Sequence, residues 1–90
     1  MTTRRMKKWT VFVKLTPEDD SLLDPAIQRT LRERLPGVSS VSARRISATL
    51  DVEATSEEEA RRSGVDQVRA AAAAVGVPEW PFRTAVRWNR

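Results

Sequence analysis

The sequence predicts an α+β sandwich, in which two helices cover one face of a four-stranded antiparallel sheet. Three segments alternate apolar and polar residues with a period of two, which is typical of half-buried strands. Two other segments place apolar residues at helical spacing behind clear N-caps. The chain has 90 residues, enough for one domain of two packed layers. These elements follow one another in the order βαββαβ.

Four segments have strand character. Residues 9–15 (WTVFVKL), 45–54 (RISATLDVEA) and 82–88 (FRTAVRW) alternate regularly. Residues 38–43 (VSSVSA) form a weaker, serine-rich strand, and the hairpin to the next strand turns near residues 43–45 without a glycine. Sorting these strands by parity predicts a core face made of Trp9, Val11, Val13, Leu15, Ile46, Ala48, Leu50, Val52, Val86 and Trp88.

The two helices have recognisable starts. Asp24 followed by Pro25 indicates an N-cap with proline in the first helical position. Ser56 and Glu59 form a capping box, and Gly76 suits the position after the last turn. The faces that pack on the sheet are predicted to be Ile27, Leu31 and Leu35 in the first helix, and Ala60, Gly64, Val68, Ala71, Ala72 and Val75 in the second.

With two right-handed crossovers, this order closes into the ferredoxin-like sandwich, with the second and fourth strands at the sheet edges and both helices on one face. We expect a single ferredoxin-like domain over residues 9–90. Residues 1–8 are polar and basic without periodicity, which predicts a flexible arm.

The composition excludes much of catalysis. The sequence contains neither cysteine nor histidine, so thiolate nucleophiles, zinc-thiolate sites and imidazole acid-base groups are ruled out. Helix capping explains the acids at 57–59, and a turn explains those at 18–20. Asp19, Asp20 and Asp24 lack the alternating ligand pattern of a calcium loop. We therefore expect no enzymatic activity, no cofactor and no metal site.

The longest uncharged apolar run, residues 70–78, is far shorter than the ~20 residues of a membrane span. Residues 1–8 lead into an alternating segment rather than a signal-peptide core. The expectation is a cytoplasmic protein without a membrane partner.

The sheet face away from the helices is expected to be polar and of mixed charge. RNA-recognition domains of this topology stack bases on aromatic residues of the two central strands. Here the third strand offers acids and hydroxyls instead, so we expect solvent or a second copy of the chain to cover the face. This open face is predicted to contain Thr10, Phe12, Lys14, Ser47, Thr49, Asp51, Glu53, Arg83, Ala85 and Arg87.

These observations favour a non-enzymatic protein-interaction or oligomerisation module, with a homodimer or another protein as the expected partner. The predicted contacts are Phe12, Arg83 and Arg87 on the open face, Trp80 in the last loop, and the edge strand 38–43.

The charge distribution supports an alternative. The net charge is +4, from 16 basic and 12 acidic residues, and four of the basic residues lie within 1–8, so the remaining charges balance. A small regulatory or phage-encoded protein that contacts nucleic acid, or a host protein, would use such a basic arm together with a basic edge. Its predicted contact residues are Arg4, Arg5, Lys7, Lys8, Arg44 and Arg45.

Residues 9–15, 47–60 (SATLDVEATSEEEA) and 71–87 (AAAAVGVPEWPFRTAVR) resemble a small ferredoxin-like domain of actinobacterial and actinophage proteins. In some of these it precedes a helix-turn-helix segment. The chain ends at Arg90, before any such segment, so the resemblance implies only a pairing or regulatory role. The LDP at 23–25 is also similar to the small subunit of formylglycinamidine synthase, which implies a structural oligomer that bridges larger subunits.

Overall fold

The computed structural model describes residues 6–89, and its elements follow the predicted order. They are β1 (Lys7–Leu15), α1 (Pro25–Arg34), β2 (Val38–Ser42), β3 (Arg45–Ala54), α2 (Glu57–Ala74) and β4 (Phe82–Asn89). The strands form one antiparallel sheet in the order β2-β3-β1-β4. The ferredoxin-like fold and both sheet edges are therefore confirmed.

One hydrophobic core joins the sheet to both helices. The buried strand residues alternate along β1 and β3, and Leu31 of α1 and Val68 of α2 belong to the same buried cluster. Both are fully buried, as are Val11, Val13 and Ile46 of the sheet. The two helices thus cover one face, and the other face is left without a layer of its own.

The predicted helix starts are confirmed by their hydrogen bonds. The backbone N–H of Ala26 donates to the Asp24 carboxylate at 2.8 Å, which caps α1. The N–H of Glu59 donates to the Ser56 hydroxyl at 3.2 Å, and the Glu59 carboxylate accepts from the N–H of Thr55 at 3.3 Å. The reciprocal bond of the capping box thus reaches one residue further back than the standard pattern.

A glycine lets α2 lie close to the sheet. A Cβ atom at Gly64 would lie 2.6 Å from Cγ1 of Val11 and 2.9 Å from its Cβ. Real Cβ atoms do not approach so closely, so only glycine allows this contact between α2 and β1. At the start of β2, Gly37 has a φ of 68°, which other residues adopt only with strain.

The start of β1 differs from the prediction. β1 begins at Lys7, so the arm predicted over 1–8 is wrong for its last two residues. The reason is sheet pairing: Lys7 lies opposite Ala54, and Lys8 lies between Glu53 and Asn89. Of the predicted arm residues, Arg4 and Arg5 lie outside the described residues.

Trp88 does not belong to the core as predicted, because 44% of it is exposed. Its ring lies on the core side of the sheet, 6.2 Å from that of Trp9, but at the end of an edge strand. The Lys7 ammonium lies 4.9 Å from the ring centroid. Trp9 is buried as predicted, and its indole N–H donates to the Ala54 carbonyl at 3.0 Å.

Gly64→Ala is expected to lower the free energy of unfolding by about 1–2 kcal/mol. The new methyl group clashes with fully buried Val11, which outweighs the gain of about 1 kcal/mol in helix propensity. Urea denaturation followed by circular dichroism measures the change. In a double-mutant cycle with Val11→Ala, the double variant should lose less than the sum of the two single losses. A stabilising Gly64→Ala would contradict the close approach.

Candidate protein-interaction surface

The open face of the sheet has a row of uncharged, mainly apolar residues at its centre. The strand register aligns Val38 of β2, Thr49 of β3, Phe12 of β1 and Ala85 of β4 across all four strands. Phe12 is 39% exposed and Val38 is 78% exposed. We call these four residues the central row. Within this row Phe12 stands between the smaller residues Thr49 and Ala85.

Charge divides the open face along its length. The half formed by β2 and β3 has hydroxyl and acidic side chains, with one cation at its end, whereas the half formed by β1 and β4 is basic. Outside the central row, the β2–β3 half contains Ser40, Ser42, Arg45, Ser47, Asp51 and Glu53. The β1–β4 half contains Lys8, Thr10, Lys14, Arg83, Arg87 and Asn89.

The charged side chains of this face have no ion-pair partner in the part of the chain that the structure describes. The four salt bridges within residues 6–89 join Arg44 to Asp20, Arg61 to Glu57, Arg62 to Glu58 and Arg69 to Glu79. None of these residues lies on the open face. The acids of the β2–β3 half and the cations of the β1–β4 half are all exposed to solvent.

A hydrogen-bonded chain fixes one acid of this face. The Thr10 hydroxyl donates to the Asp51 carboxylate at 3.0 Å and accepts from the Asn89 side-chain amide at 2.7 Å. These bonds cross β3, β1 and β4, and they bury Thr10 to 8% exposure on a face predicted to be open. The sequence prediction missed Asn89 because no apolar alternation indicates that β4 continues beyond residue 88.

A shallow hollow of about 400 Å³ lies beside Phe12. Its side-chain lining is mostly polar or small, and it includes Lys14, Ser47, Thr49 and Arg83. The structure thus brings Phe12 and Arg83, two predicted contact residues, to one hollow. Arg87 lies on the same face, next to Thr10.

Trp80 is not part of this surface. It is 8% exposed and belongs to the hydrophobic core on the helix side of the sheet. Arg69 of α2 holds the loop above it, because its guanidinium contacts Glu79 at 2.7 Å and lies 5.7 Å from the centroid of the Phe82 ring. Trp80 therefore closes the core beneath this loop.

One acceptor of the β2 edge strand is already occupied. The guanidinium of Arg32 in α1 donates to the Val41 carbonyl at 3.0 Å. Protecting the polar groups of an edge strand reduces its tendency to pair with another chain. The structure thus favours the open face over the predicted β2 edge as a contact surface.

Of the residues predicted to contact nucleic acid, those that the structure describes lie at opposite ends of the sheet. Lys7 and Lys8 lie at the start of β1. Arg45 lies at the other end of the sheet, next to Ile46, which pairs with Leu15 at the end of β1. Eight residues of strand separate these ends by about 26 Å. Arg44 is occupied locally, because its guanidinium donates to the Asp19 carbonyl at 2.8 Å and lies 3.6 Å from the Asp20 carboxylate.

The acids of the loop before α1 have local structural roles. The Ser21 side chain and backbone donate to the Asp19 carboxylate and hold its pKa below the usual value. Asp20 contacts Arg44, and Asp24 caps α1. Among residues 6–89, no three acidic side chains are grouped so that they could hold a metal ion.

Comparisons of the chain with protein-family models, with curated proteins and with solved structures found no match. The likenesses described from the sequence stay predictions. Within residues 6–89, neither helix combines the length and the apolar character needed to cross a membrane.

Trp80→Ala is expected to lower the free energy of unfolding by about 3–5 kcal/mol, because it empties a large buried site. Phe12→Ala should cost only about 1 kcal/mol, because Phe12 lies on the open face. Chemical denaturation of both variants at low protein concentration measures the difference. Equal losses would contradict the assignment of Trp80 to the core and Phe12 to the surface.

Proposed function

We propose that this chain is a non-enzymatic protein-interaction module that self-associates through the open face of its sheet. The observation that carries the proposal is an exposed phenylalanine at the centre of a regular sheet face that no helix covers. Aromatic and arginine side chains are enriched among the residues that dominate binding energy, and Phe12, Arg83 and Arg87 all lie on this face.

The form of the face supports a protein partner. Its backbone is fixed by sheet pairing, so binding orders only side chains and loses less conformational entropy than a flexible loop would. The hydroxyl groups of Ser40, Ser47 and Thr49 supply hydrogen-bond donors and acceptors around the central row. The exposed acids Asp51 and Glu53 disfavour a polyanionic ligand across the whole face.

The size of the face sets the expected strength. The strands lie about 4.8 Å apart; β1, β3 and β4 are about 26 Å long and the five-residue β2 is shorter, so the face covers roughly 450–500 Å². Two such faces bury roughly 1,000 Å² in total, at the lower end of specific interfaces. We therefore expect weak association, in the micromolar range or above, and a monomer–dimer equilibrium in solution.

Phe12→Ser is expected to shift this equilibrium towards the monomer by about tenfold or more, because it removes the largest apolar group of the face. Sedimentation velocity over a concentration series up to about 500 µM measures the shift.

Leu22→Ser is the matched control. Leu22 is 66% exposed, more than Phe12, but it lies in the loop before α1 and outside the open face. Its substitution should leave self-association unchanged. A wild-type chain that stays monomeric throughout the series would contradict the proposal, as would equal effects of the two substitutions.

A second candidate is contact with a nucleic-acid backbone, and one corner of the sheet favours it. Arg45 is the first residue of β3 and lies on the open face. Lys14 and Arg83 pair with each other in the next row of that face, level with Ser47. Clustered cations suffice for contact with phosphates.

This candidate predicts steeply salt-dependent binding of a labelled oligonucleotide, measured by fluorescence anisotropy. Binding should fall when Arg45 and Lys14 are both replaced by alanine. The predicted arm is best tested by substituting Arg4 and Arg5 rather than by deleting residues 1–8, because β1 begins at Lys7. Absence of binding at low salt would exclude this candidate.

A further inference from the structure

We propose that two copies of this chain stack their open faces about a two-fold axis that runs along the strands, between β1 and β3. The β2–β3 half of one copy then covers the β1–β4 half of the other. The inference rests on the proposed self-association and adds the geometry of the pair.

This axis follows from the division of charge along the face. A two-fold rotation about a line parallel to the strands keeps each residue at its level along the sheet and exchanges left with right. With the line between the two central strands, β3 lies over the partner's β1, and β2 lies over the partner's β4. The half with the acids in each copy therefore meets the half with the cations in the other copy, so the two-fold axis produces this contact twice.

The acids then lie opposite cations. The register places Glu53 level with Lys8, and Asp51 level with Thr10 and Arg87. In the pair, Glu53 faces the partner's Lys8, while Asp51 lies between the partner's Thr10 and the partner's Arg87. The Thr10 hydroxyl already holds Asp51 within its own chain, so this carboxylate is oriented before the copies meet.

The remaining rows are also compatible. Ser47 faces the partner's Lys14, and Ser40 faces the partner's Arg83, so these cations meet hydroxyl groups. In the central row, Phe12 lies over the partner's Thr49, and Val38 lies over the partner's Ala85. Large side chains thus oppose small ones, as in interdigitated sheet packing.

Other two-fold axes bring like charges together. An axis along β1 itself stacks Lys14 on the partner's Lys14 and Lys8 on the partner's Lys8. An axis across the strands through the central row stacks Arg83 on the partner's Arg87, because these residues lie on either side of Ala85 in β4. Like charges in contact disfavour an arrangement strongly. The axis between β1 and β3 places no two like charges of the paired strand residues directly opposite each other.

Charge reversal tests the arrangement. One variant carries Asp51→Lys and Glu53→Lys, and a second carries Lys8→Glu and Arg87→Glu. Each variant alone should lose self-association by about tenfold or more, because its own two halves now repel. An equimolar mixture should restore association as a heterodimer, since reversed acids then meet reversed cations in one half and wild-type charges meet in the other.

Sedimentation velocity of each variant and of the mixture measures this, with one component labelled. Arg29→Glu with Arg34→Glu is the control, because both residues are exposed on α1 and lie outside the open face. This control should self-associate like the wild type. Restoration by mixing also shows that both variants are folded, and circular dichroism of each checks it independently.

The outcomes separate the two proposals. Loss in each variant and restoration in the mixture support the arrangement. Loss without restoration, or undiminished dimers in either variant, overturns this axis but leaves self-association standing. A wild-type chain that stays monomeric up to about 500 µM overturns both proposals. Binding of an oligonucleotide to the same face would not rescue either of them.

Discussion

The close packing of α2 on β1 sets the rest of this structure. Gly64 brings the helix against Val11, the fully buried centre of a central strand. Because successive residues of a strand point to opposite faces, burying Val11 and Val13 in the core directs Phe12 to the other side. The packing that forms the core therefore also exposes the aromatic residue of the proposed interface.

The two faces of the sheet have different physical characters. On the helix side, apolar side chains are buried and the polar groups at the helix starts are capped by Asp24 and Ser56. On the open side, sheet pairing fixes the positions of acids and cations without pairing them. Exposed charges separated in this way contribute little to the stability of one chain. Across an interface, the same arrangement favours one relative orientation of two copies over others.

The elements themselves follow from local sequence. Strict alternation identifies β1 and β3, and capping residues identify the starts of α1 and α2, because these signals come from neighbouring side chains. The errors lie where distant contacts decide. β1 extends to Lys7 because Lys7 pairs with Ala54, and Lys8 pairs with Glu53 on one side and Asn89 on the other. Thr10 is buried by side chains from two neighbouring strands. Trp88 has the parity of a core residue but lies at the end of an edge strand.

The candidate surface also has features that follow from local sequence and features that depend on contacts between distant residues. Sequence alone assigns residues to the two faces of each strand, since parity depends only on position along the chain. It thereby placed Phe12, Arg83 and Arg87 on one side, and its composition excluded thiolate and imidazole chemistry. The register between strands is seen only in the folded chain, because it depends on the pairing of residues that are far apart in sequence. That register aligns the central row, sets the acids of β3 level with cations of β1 and β4, and puts Lys8 and Arg45 at opposite ends of the sheet. The burial of Trp80 in the core likewise depends on contacts between residues far apart in sequence.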